Sequence, residues 1–358
     1  MSEAGPTLNI RPFGKLPDGG IVDAISLKNK HGMFVKILTY GAIISEIWVP
    51  DRNGRLANVA LGFNNLEGYL AKHPRFGSTI GRYANRISNA EFELDGTKYK
   101  LAANKGSTTI HGGNIGFDKR NWQIAESGTN ERNSFVKLSY LSPDMEEGFP
   151  GNLKVEITFS LDESNSLMIQ YHAKTDKPTP INLTNHSYFN LKGAGKGNIL
   201  KHIASFNADQ YTPLNADLVP TGEIAKVEGT PFDFKKQTEI GARIEQAGGY
   251  DLNYVINRRP GDIEGIGSVI DPESGRVLTT FTDQPGFQFF TANGLDGSIS
   301  GNGGKYERYA GFCIETQHLP DSVHHPNFPT TILRPGETFG TITQYAFSNM
   351  PADWKFKS

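Results

Sequence analysis

Apolar and polar residues alternate with a period of two along most of the chain, and turn-forming residues interrupt this alternation at short intervals. Such a pattern is typical of β-strands that bury one face and expose the other. No repeat with a period of about 20–50 residues divides the chain, and no low-complexity linker does. We therefore expect an all-β fold, a large antiparallel β-sandwich that forms a single domain over residues 1–358.

The clearest hairpin is predicted where Asp95-Gly96 lies between two alternating segments. These two residues suit a type I′ turn, which requires positive φ at both central positions. The turn would place Phe92 opposite Tyr99 on paired strands.

Other turns follow the same pattern. A second hairpin is predicted between residues 153–161 and 166–174, and further turns are predicted at 51–54 and 273–276. Short helical turns are expected at 66–72 and 239–246. Neither is long enough to connect parallel strands, which disfavours a βαβ fold.

Composition supports many short strands and argues against a nucleic-acid partner. The chain has 40 glycines and 20 prolines, residues that tight turns require. Its formal net charge is −2, and no basic stripe is present that could neutralise phosphates. A neutral small molecule is the better candidate for a ligand.

The chain contains one cysteine, Cys313. A lone cysteine excludes an intramolecular disulfide framework and a cysteine-based zinc site. No segment approaches the roughly 20 apolar residues that a membrane helix needs, and the first residues lack the features of a signal peptide. We expect a cytoplasmic protein without a membrane partner.

A polar segment at residues 180–188 is the first candidate for chemistry. Strand alternation predicts that Asn182, Thr184, His186 and Tyr188 share one face. Polar groups on a buried face need partners, so this face is either solvated or lines a polar cleft. Taken alone, His186 is better explained as a structural histidine with satisfied hydrogen bonds.

A carboxylate interrupts the apolar strand predicted at residues 311–317. Alternation places Cys313, Glu315 and Gln317 on one face. Glutamate is uncommon inside strands and is rarely buried without a partner. Glu315 is therefore either a charge on an exposed edge or a group placed for catalysis or binding.

Three further segments contain candidate residues. His111 precedes two glycines, which would let the backbone approach another group closely. Asn85 and Arg86 offer donors suited to hydroxyls or carboxylates, whereas we expect Arg82 to form ordinary ion pairs at the surface. Asp251 ends the segment Gly248-Gly249-Tyr250-Asp251, where a turn would also explain an aspartate.

No metal or phosphate motif is recognised. His318, His324 and His325 lie close in sequence, but no HExxH pair is present, and adjacent histidines of an extended chain point to opposite sides. No P-loop or dinucleotide-binding glycine motif occurs. We expect no metal and no cofactor.

Seven segments together resemble the aldose 1-epimerase (galactose mutarotase) family in content and in chain order. They are GRYANRI at 81–87, IHGG with GFDK at 110–119, TPINLTNHSYFNL at 179–191, GYDLNY at 249–254, TDQPGFQFFTAN at 282–293, GFCIETQHLPD at 311–321 and PNFPTTILRPGE at 326–337. The resemblance covers about residues 15–348.

The resemblance implies a β-supersandwich with an open sugar-binding cleft on one sheet. It also implies catalytic roles for His186 as general acid, Glu315 as general base and His111 as a supporting imidazole. The implied sugar ligands are Asn85, Arg86, Asp251 and Gln284. Two departures from the family pattern, Leu252 and Ala292, would be expected to retune sugar preference.

The implied activity is interconversion of the α and β anomers of a free hexose, such as D-galactose or D-glucose, by a monomer or homodimer. Anomerisation needs an acid and a base beside one sugar, and a carboxylate with an imidazolium meets that need.

Three alternatives remain open. A hexose-6-phosphate 1-epimerase would need a cationic pocket, and the matched segments contain no cluster of lysine and arginine. A non-catalytic sugar-binding protein would not need all three catalytic residues. A glycosidase could use Glu315 with Asp251, but would leave His186 unexplained.

Overall fold

The computed structural model describes residues 5–259, 261–354 and 356. Its strands, in chain order, are β1 (Thr7–Lys15), β2 (Ile21–Lys28), β3 (Phe34–Leu38), β4 (Ile43–Pro50), β5 (Leu56–Asn58), β6 (Thr79–Ile80), β7 (Arg86–Ile87), β8 (Glu91–Leu94), β9 (Thr97–Lys100), β10 (Thr109–Ile110), β11 (Gln123–Thr129), β12 (Asn133–Ser142), β13 (Leu153–Asp162), β14 (Ser166–Thr175), β15 (Thr179–Pro180), β16 (Thr184–Asn185), β17 (Ile203–Phe206), β18 (Gln210–Tyr211), β19 (Ala225–Lys226), β20 (Thr238–Glu239), β21 (Asp251–Val255), β22 (Glu264–Ile270), β23 (Arg276–Thr282), β24 (Gly286–Phe290), β25 (Ser300–Gly301), β26 (Gly304–Lys305), β27 (Cys313–Gln317), β28 (Ile332–Leu333) and β29 (Phe339–Asn349).

Helices are short wherever the structure describes the chain. The α-helices are α1 (Leu66–Leu70) and α2 (Ile244–Ala247), and the 3₁₀ turns are Ser88–Ala90, Phe117–Lys119, Glu146–Gly148, Ile240–Arg243 and Ser322–His324. α1 and the Ile240–Ala247 turns lie where short helical turns were predicted. None of these helices has the length and apolar character needed to cross a membrane.

Three large sheets form the architecture. The first has the order β1-β2-β3-β4-β5, the second is nine-stranded with the order β11-β12-β13-β14-β29-β23-β22-β17-β20, and the third has the order β19-β18-β21-β24-β27. Every pairing within these sheets is antiparallel. The prediction of an all-β antiparallel sandwich is confirmed.

One apolar cluster joins the three sheets. Val35 comes from the first sheet, Ile157 from the nine-stranded sheet and Phe289 from the third, and all three are buried in this cluster. β13 shows the underlying period of two, because its residues alternate between buried and partly exposed positions. Both smaller sheets therefore pack against the large sheet.

The predicted hairpins are present. Asp95 and Gly96 have φ of 50° and 77°, as a type I′ turn requires, and Phe92 lies opposite Tyr99. β13 and β14 pair along their length, and the turns near 51–54 and 273–276 connect β4 to β5 and β22 to β23.

The strand predicted at residues 180–188 is only partly formed. Within it, strand structure is limited to the end of β15 and to β16, and the whole segment is buried rather than alternating. Neighbours on both sides explain this difference, because β16 pairs with β6 while Phe189 bridges to both Ala60 and Phe312. Asn182 bonds to the backbone of His318 instead of facing a cleft.

We expect Ile157→Ala to lower the free energy of unfolding by about 2–5 kcal/mol, because the substitution leaves a cavity in the cluster that joins the sheets. Lys154→Ala, at an exposed position of the same strand, should change it by about 0.5 kcal/mol or less. Denaturant titration of both variants measures the difference. Equal effects would show that β13 does not bury the face described above.

Candidate active site

A cleft of about 820 Å³ opens beside the third sheet and collects most of the residues singled out by sequence. Its lining includes His111, His186, Glu315, Asn85, Arg86 and Asp251. The first and the last of these residues in the chain, Asn85 and Glu315, are more than 200 positions apart. Strand pairing brings them together.

The third sheet presents one polar face to this cleft. Gln288 of β24 lies opposite Glu315 of β27 and, on its other side, opposite Asn253 of β21. The neighbours of Gln288 and Glu315 along each strand, such as Phe289 and Ile314, point to the other face and join the apolar core. Alternation along β27 therefore fixes the direction of Glu315, as predicted.

Glu315 and His186 form the central pair of the cleft. Glu315 Oε2 lies 3.6 Å from His186 Nε2, and the two side chains are only 3% and 7% exposed. Among the described residues, Glu315 Oε2 has no hydrogen-bond partner. Burying a carboxylate oxygen without a hydrogen-bond partner costs free energy. A ligand in the cleft that donates a hydrogen bond to this oxygen would remove that cost.

Burial shifts the pKa values of this pair in opposite directions. Burial, reinforced by the charge of Asp251, raises the pKa of Glu315 well above its ordinary value, while Arg75 and Arg86 oppose this shift. Burial, with the charge of Arg75, lowers the pKa of His186 from 6.5 to about 3. Both shifts favour the neutral form of each group.

His186 is held on three sides. Its ring stacks on Tyr188 at 5.0 Å, and the ring of His111 meets it edge-on at 5.2 Å. Its Nδ1 lies 3.6 Å from the buried thiol of Cys313. Its backbone N–H donates to Ser78 at 2.8 Å. These contacts direct Nε2 towards Glu315.

His111 and Asn85 position each other through strained backbone. Both have left-handed φ, of 53° and 61°, which is uncommon for residues other than glycine. The Asn85 backbone N–H donates to His111 Nδ1 at 3.2 Å. Burial lowers the pKa of His111 well below 6.5, so the ring is neutral and its hydrogen is on Nε2.

The glycines after His111 serve a close approach between backbones. A Cβ on Gly112, whose φ is 83°, would lie 2.0 Å from the carbonyl oxygen of Gly81. The predicted close approach of the backbone at Gly112 is therefore present. Gly112 approaches the segment of chain that precedes Asn85. This contact fixes the His111 loop against the Asn85 loop.

Arg86, Asp251 and Gln288 form a polar group beside the central pair. Gln288 Nε2 donates to Asp251 Oδ1 at 2.7 Å, and Arg86 Nη2 lies 4.0 Å from Asp251 Oδ2. The Asp251 side chain is 31% exposed, and Oε1 of Gln288 has no partner among the described residues. The group therefore has free hydrogen-bonding capacity towards the cleft.

The structure does not place Gln284 with these residues. It is 1% exposed and does not line the cleft, whereas Gln288 does. Both lie in the same matched segment, but Gln284 precedes the first residue of β24. Four residues span roughly 13 Å of extended chain, so the two amides cannot serve the same subsite. The structure therefore places Gln288, and not Gln284, at the cleft.

The expectation for Arg82 is wrong, and the structure also locates Leu252 and Ala292. Arg82 is 2% exposed and donates to backbone carbonyls, including that of Pro150 at 2.8 Å, so it is a structural arginine and not a surface one. Leu252 packs in the apolar core on the face opposite Asp251, and Ala292 is buried in a second cluster. Neither Leu252 nor Ala292 lines the cleft, so neither contacts a ligand there.

The adjacent histidines 324 and 325 converge on one carboxylate. His324 Nδ1 lies 2.7 Å from Asp321 Oδ1, and His325 Nε2 lies 3.6 Å from Asp321 Oδ2. In the part of the chain that the structure describes, His111, His186 and Glu315 are the group whose ligand-type atoms lie within 4.8 Å of one another. The lone pair on His111 Nδ1 is directed at the Asn85 N–H, so its other nitrogen carries a hydrogen and is a donor rather than a metal ligand.

Several residues of the cleft were not predicted from the sequence. Gln288 lies in the matched segment 282–293, and strand alternation there could have identified it, because Gln288 of β24 lies opposite Glu315. Arg75, Lys72 and Lys105 also line the cleft but belong to none of the matched motifs, whereas Lys119 ends the matched GFDK segment without having been singled out. Only the folded chain brings these cations to the same opening.

Comparison with known proteins gives a consistent result. A family model described as aldose 1-epimerase matches residues 23–346. The chain is 44% identical to galactose mutarotase of Homo sapiens over 342 residues, 94% of this chain and 97% of that protein. It is 34% identical to aldose 1-epimerase of Escherichia coli (strain K12) over 339 residues, 92% and 96% of the two chains.

Solved structures show the same architecture. A galactose 1-epimerase from Lactobacillus acidophilus superimposes with a TM-score of 0.84 at 27% identity, covering 96% of this chain and 99% of that one. An aldose epimerase homologue from C. elegans has a TM-score of 0.82 at 28% identity, covering 90% and 97%.

We expect Cys313 not to react with a disulfide reagent such as DTNB in the native protein at neutral pH. Its thiol is fully buried, and burial with the charge of Glu315 raises its pKa well above the ordinary value, so thiolate is scarce. Because the chain has a single cysteine, unfolding in guanidinium should release one equivalent. Rapid reaction of the native protein would contradict the packing described around His186, and Cys313→Ser gives the background signal.

Proposed function

Because this chain belongs to the aldose 1-epimerase family and is an aldose 1-epimerase, an isomerase, we propose that its cleft interconverts the α and β anomers of a free hexose such as D-galactose or D-glucose. The observation that supports this proposal most directly is the buried pair of Glu315 and His186, with 3.6 Å between the carboxylate oxygen and the ring nitrogen. The pair lies in the cleft with an oxygen free to accept a bond.

In the proposed mechanism, Glu315 accepts the proton of the C1 hydroxyl while His186 donates a proton to the ring oxygen. The bond between C1 and the ring oxygen breaks, and C1 becomes an aldehyde. Rotation about C1–C2 presents the other face of the aldehyde, and the two groups exchange roles as the ring closes. One proton enters the sugar as one leaves, so the pair conserves its protons.

The electrostatics of the pair suit this exchange. Burial raises the pKa of Glu315, which makes its carboxylate a stronger base, and lowers the pKa of His186, which makes its imidazolium a stronger acid. Proton transfer through the sugar converts a buried ion pair into two neutral groups. The transfer itself is therefore favourable, but it starts from the ion-paired form of the pair, which burial makes less stable than two neutral groups.

The surrounding residues are proposed to hold the sugar. His111 offers an Nε2 hydrogen from a neutral ring, because its Nδ1 accepts from Asn85. Arg86, Asp251 and Gln288 offer the donors and acceptors that fix hydroxyl groups. We assign to Gln288 the sugar contact that the family resemblance implied for Gln284.

Two of the alternatives raised from the sequence are less well supported. A sugar-binding protein without catalysis would not need a buried base facing an imidazole. A glycosidase would need Glu315 and Asp251 to act across one bond, but Asp251 is hydrogen-bonded to Gln288 and lies near Arg86. We further propose a single catalytic domain, active as a monomer or homodimer, in the cytoplasm.

Glu315→Gln and His186→Asn should each lower kcat by about 10²–10⁴-fold, because each variant removes a positioned acid or base while keeping a polar group of similar size. Polarimetry of fresh α-D-galactose and α-D-glucose, corrected for spontaneous relaxation, measures this loss. Circular dichroism of each variant checks that folding is preserved.

The double variant tests whether the two residues act as one unit. Since one proton enters as the other leaves, we expect the double variant to lose much less than the product of the two single losses. Losses that multiply, or a Glu315→Gln enzyme close to wild type, would refute the assignment and direct attention to Asp251.

A second comparison separates the two glutamines of the same segment. Gln288→Ala should lower kcat/KM for galactose by about tenfold or more, because it removes a sugar contact and frees Asp251. Gln284→Ala should leave kcat/KM within about twofold at temperatures where both variants are folded. The opposite ranking would restore Gln284 as the sugar ligand.

A further inference from the structure

Four cations converge on the cleft from three separate stretches of the chain. Lys72 and Arg75 follow α1, Lys105 precedes β10, and Lys119 ends a 3₁₀ turn. We call these four residues the cationic wall. None of them belongs to the set described above as holding the sugar or moving protons.

The charge of this wall is only partly compensated. Among the described residues, Arg75 has one ion-pair partner, Asp118, whose Oδ2 lies 3.3 Å from Arg75 Nε. Lys119 Nζ donates to a backbone carbonyl of Asn114 at 2.8 Å and pairs with no carboxylate in the described ranges. Lys72 and Lys105 are exposed, and neither forms an ion pair with a described residue.

Arg75 is held in place more firmly than a surface arginine needs to be. Its φ is 61°, which is uncommon for a residue with a side chain. The Tyr188 hydroxyl donates to the carbonyl of Pro74 at 2.9 Å, and the backbone N–H of Gly77 donates to the carbonyl of His186 at 3.0 Å. These two bonds flank Arg75 and tie its loop to the segment that contains His186.

Arg75 also has unused hydrogen-bonding capacity. Its Nε faces the Asp118 carboxylate at 3.3 Å, and its two terminal nitrogens donate to no described residue. Its side chain is 24% exposed and lines the cleft. A guanidinium with free N–H groups suits a carboxylate or a phosphate, because its planar donors match pairs of anionic oxygens.

The proposed chemistry indicates which part of a sugar would meet this wall. In a pyranose the ring oxygen is bonded to C5, and C5 carries C6. If His186 donates to the ring oxygen, the substituent on C6 leaves the ring on the His186 side. The loop of Arg75 is tied to that side of the cleft.

We propose that the cationic wall is an anion subsite that receives the carboxylate or phosphate on C6 of an acidic aldose. The substrates of the enzyme would then extend from neutral hexoses to hexuronates and hexose 6-phosphates. This inference rests on the proposed function, because it uses the orientation that places the ring oxygen at His186. The matched sequence motifs had indicated no cationic cluster, and the folded chain supplies one.

The test compares three sugars with the same ring stereochemistry: D-galactose, D-galacturonate and D-galactose 6-phosphate. The measured quantity is the ratio of kcat/KM for each acidic sugar to kcat/KM for galactose, obtained by polarimetry. We expect wild-type enzyme to turn over at least one acidic sugar. Raising the ionic strength should lower its ratio, because salt screens exposed charges.

The decisive variant replaces Lys72, Lys105 and Lys119 with glutamine. We expect it to lower the ratio by about tenfold, since three exposed charge interactions of modest strength act together. The control replaces Lys100, Lys174 and Lys226 with glutamine, which removes the same charge from exposed positions outside the cleft. The control should keep the wild-type ratio. Arg75→Gln should lower the ratio further for the sugar whose anion it binds.

Each outcome decides the proposal. If the wall variant has a lower ratio for galacturonate alone, the subsite binds a carboxylate. If it has a lower ratio for galactose 6-phosphate alone, the subsite binds a phosphate. An unchanged ratio in the wall variant, an equal loss in the control, or no turnover of either acidic sugar by wild type would overturn it. Wild-type activity on galactose is measured throughout, so failure of the anion subsite is distinguishable from failure of the proposed function.

Discussion

The buried carboxylate of Glu315 is the constraint around which the cleft is organised. A carboxyl group 3% exposed in the middle of a strand, with one oxygen unpartnered among the described residues, opposes folding unless something else stabilises its surroundings. The chain compensates through the opposite face of the same sheet, where Phe287, Phe289 and Ile314 join the common apolar core. One face of the sheet supplies stability and the other supplies reactivity.

Three more buried polar side chains lie in or beside the strands of the third sheet. Asn253, Gln284 and Gln317 are almost fully buried, and the amide atoms of their side chains have no hydrogen-bond partner among the described residues. Buried amides in an apolar setting are usually satisfied, so this polar layer is a second cost beneath the cleft. The apolar face of the same sheet packs in the common core with the nine-stranded sheet, and that burial outweighs the cost of these polar groups.

Backbone conformation contributes to the same organisation. Arg75, Asn85 and His111 all have left-handed φ, and all three line the cleft. Conformations of this kind persist where the surrounding contacts determine them, as the approach of Gly112 to the Gly81 carbonyl does here. Left-handed backbone, burial and unsatisfied polar atoms each occur elsewhere in the described chain as well, but all three are present together at the cleft. This coincidence is typical of a functional site.

The sequence by itself determined the features that depend on near neighbours. Period-two alternation and the Asp95-Gly96 turn predicted strands and a hairpin, and the motif resemblance identified His186 and Glu315 as a pair. Tertiary structure decided the rest. Gln288 rather than Gln284 lines the cleft because pairing between β24 and β27 sets which residue lies opposite Glu315. Residues 180–188 are buried on both sides because distant strands cover them, and Lys72, Lys105 and Lys119 meet only when three loops converge. Local patterns record the conformation of a segment, whereas proximity between segments far apart in sequence arises from packing that no local pattern encodes.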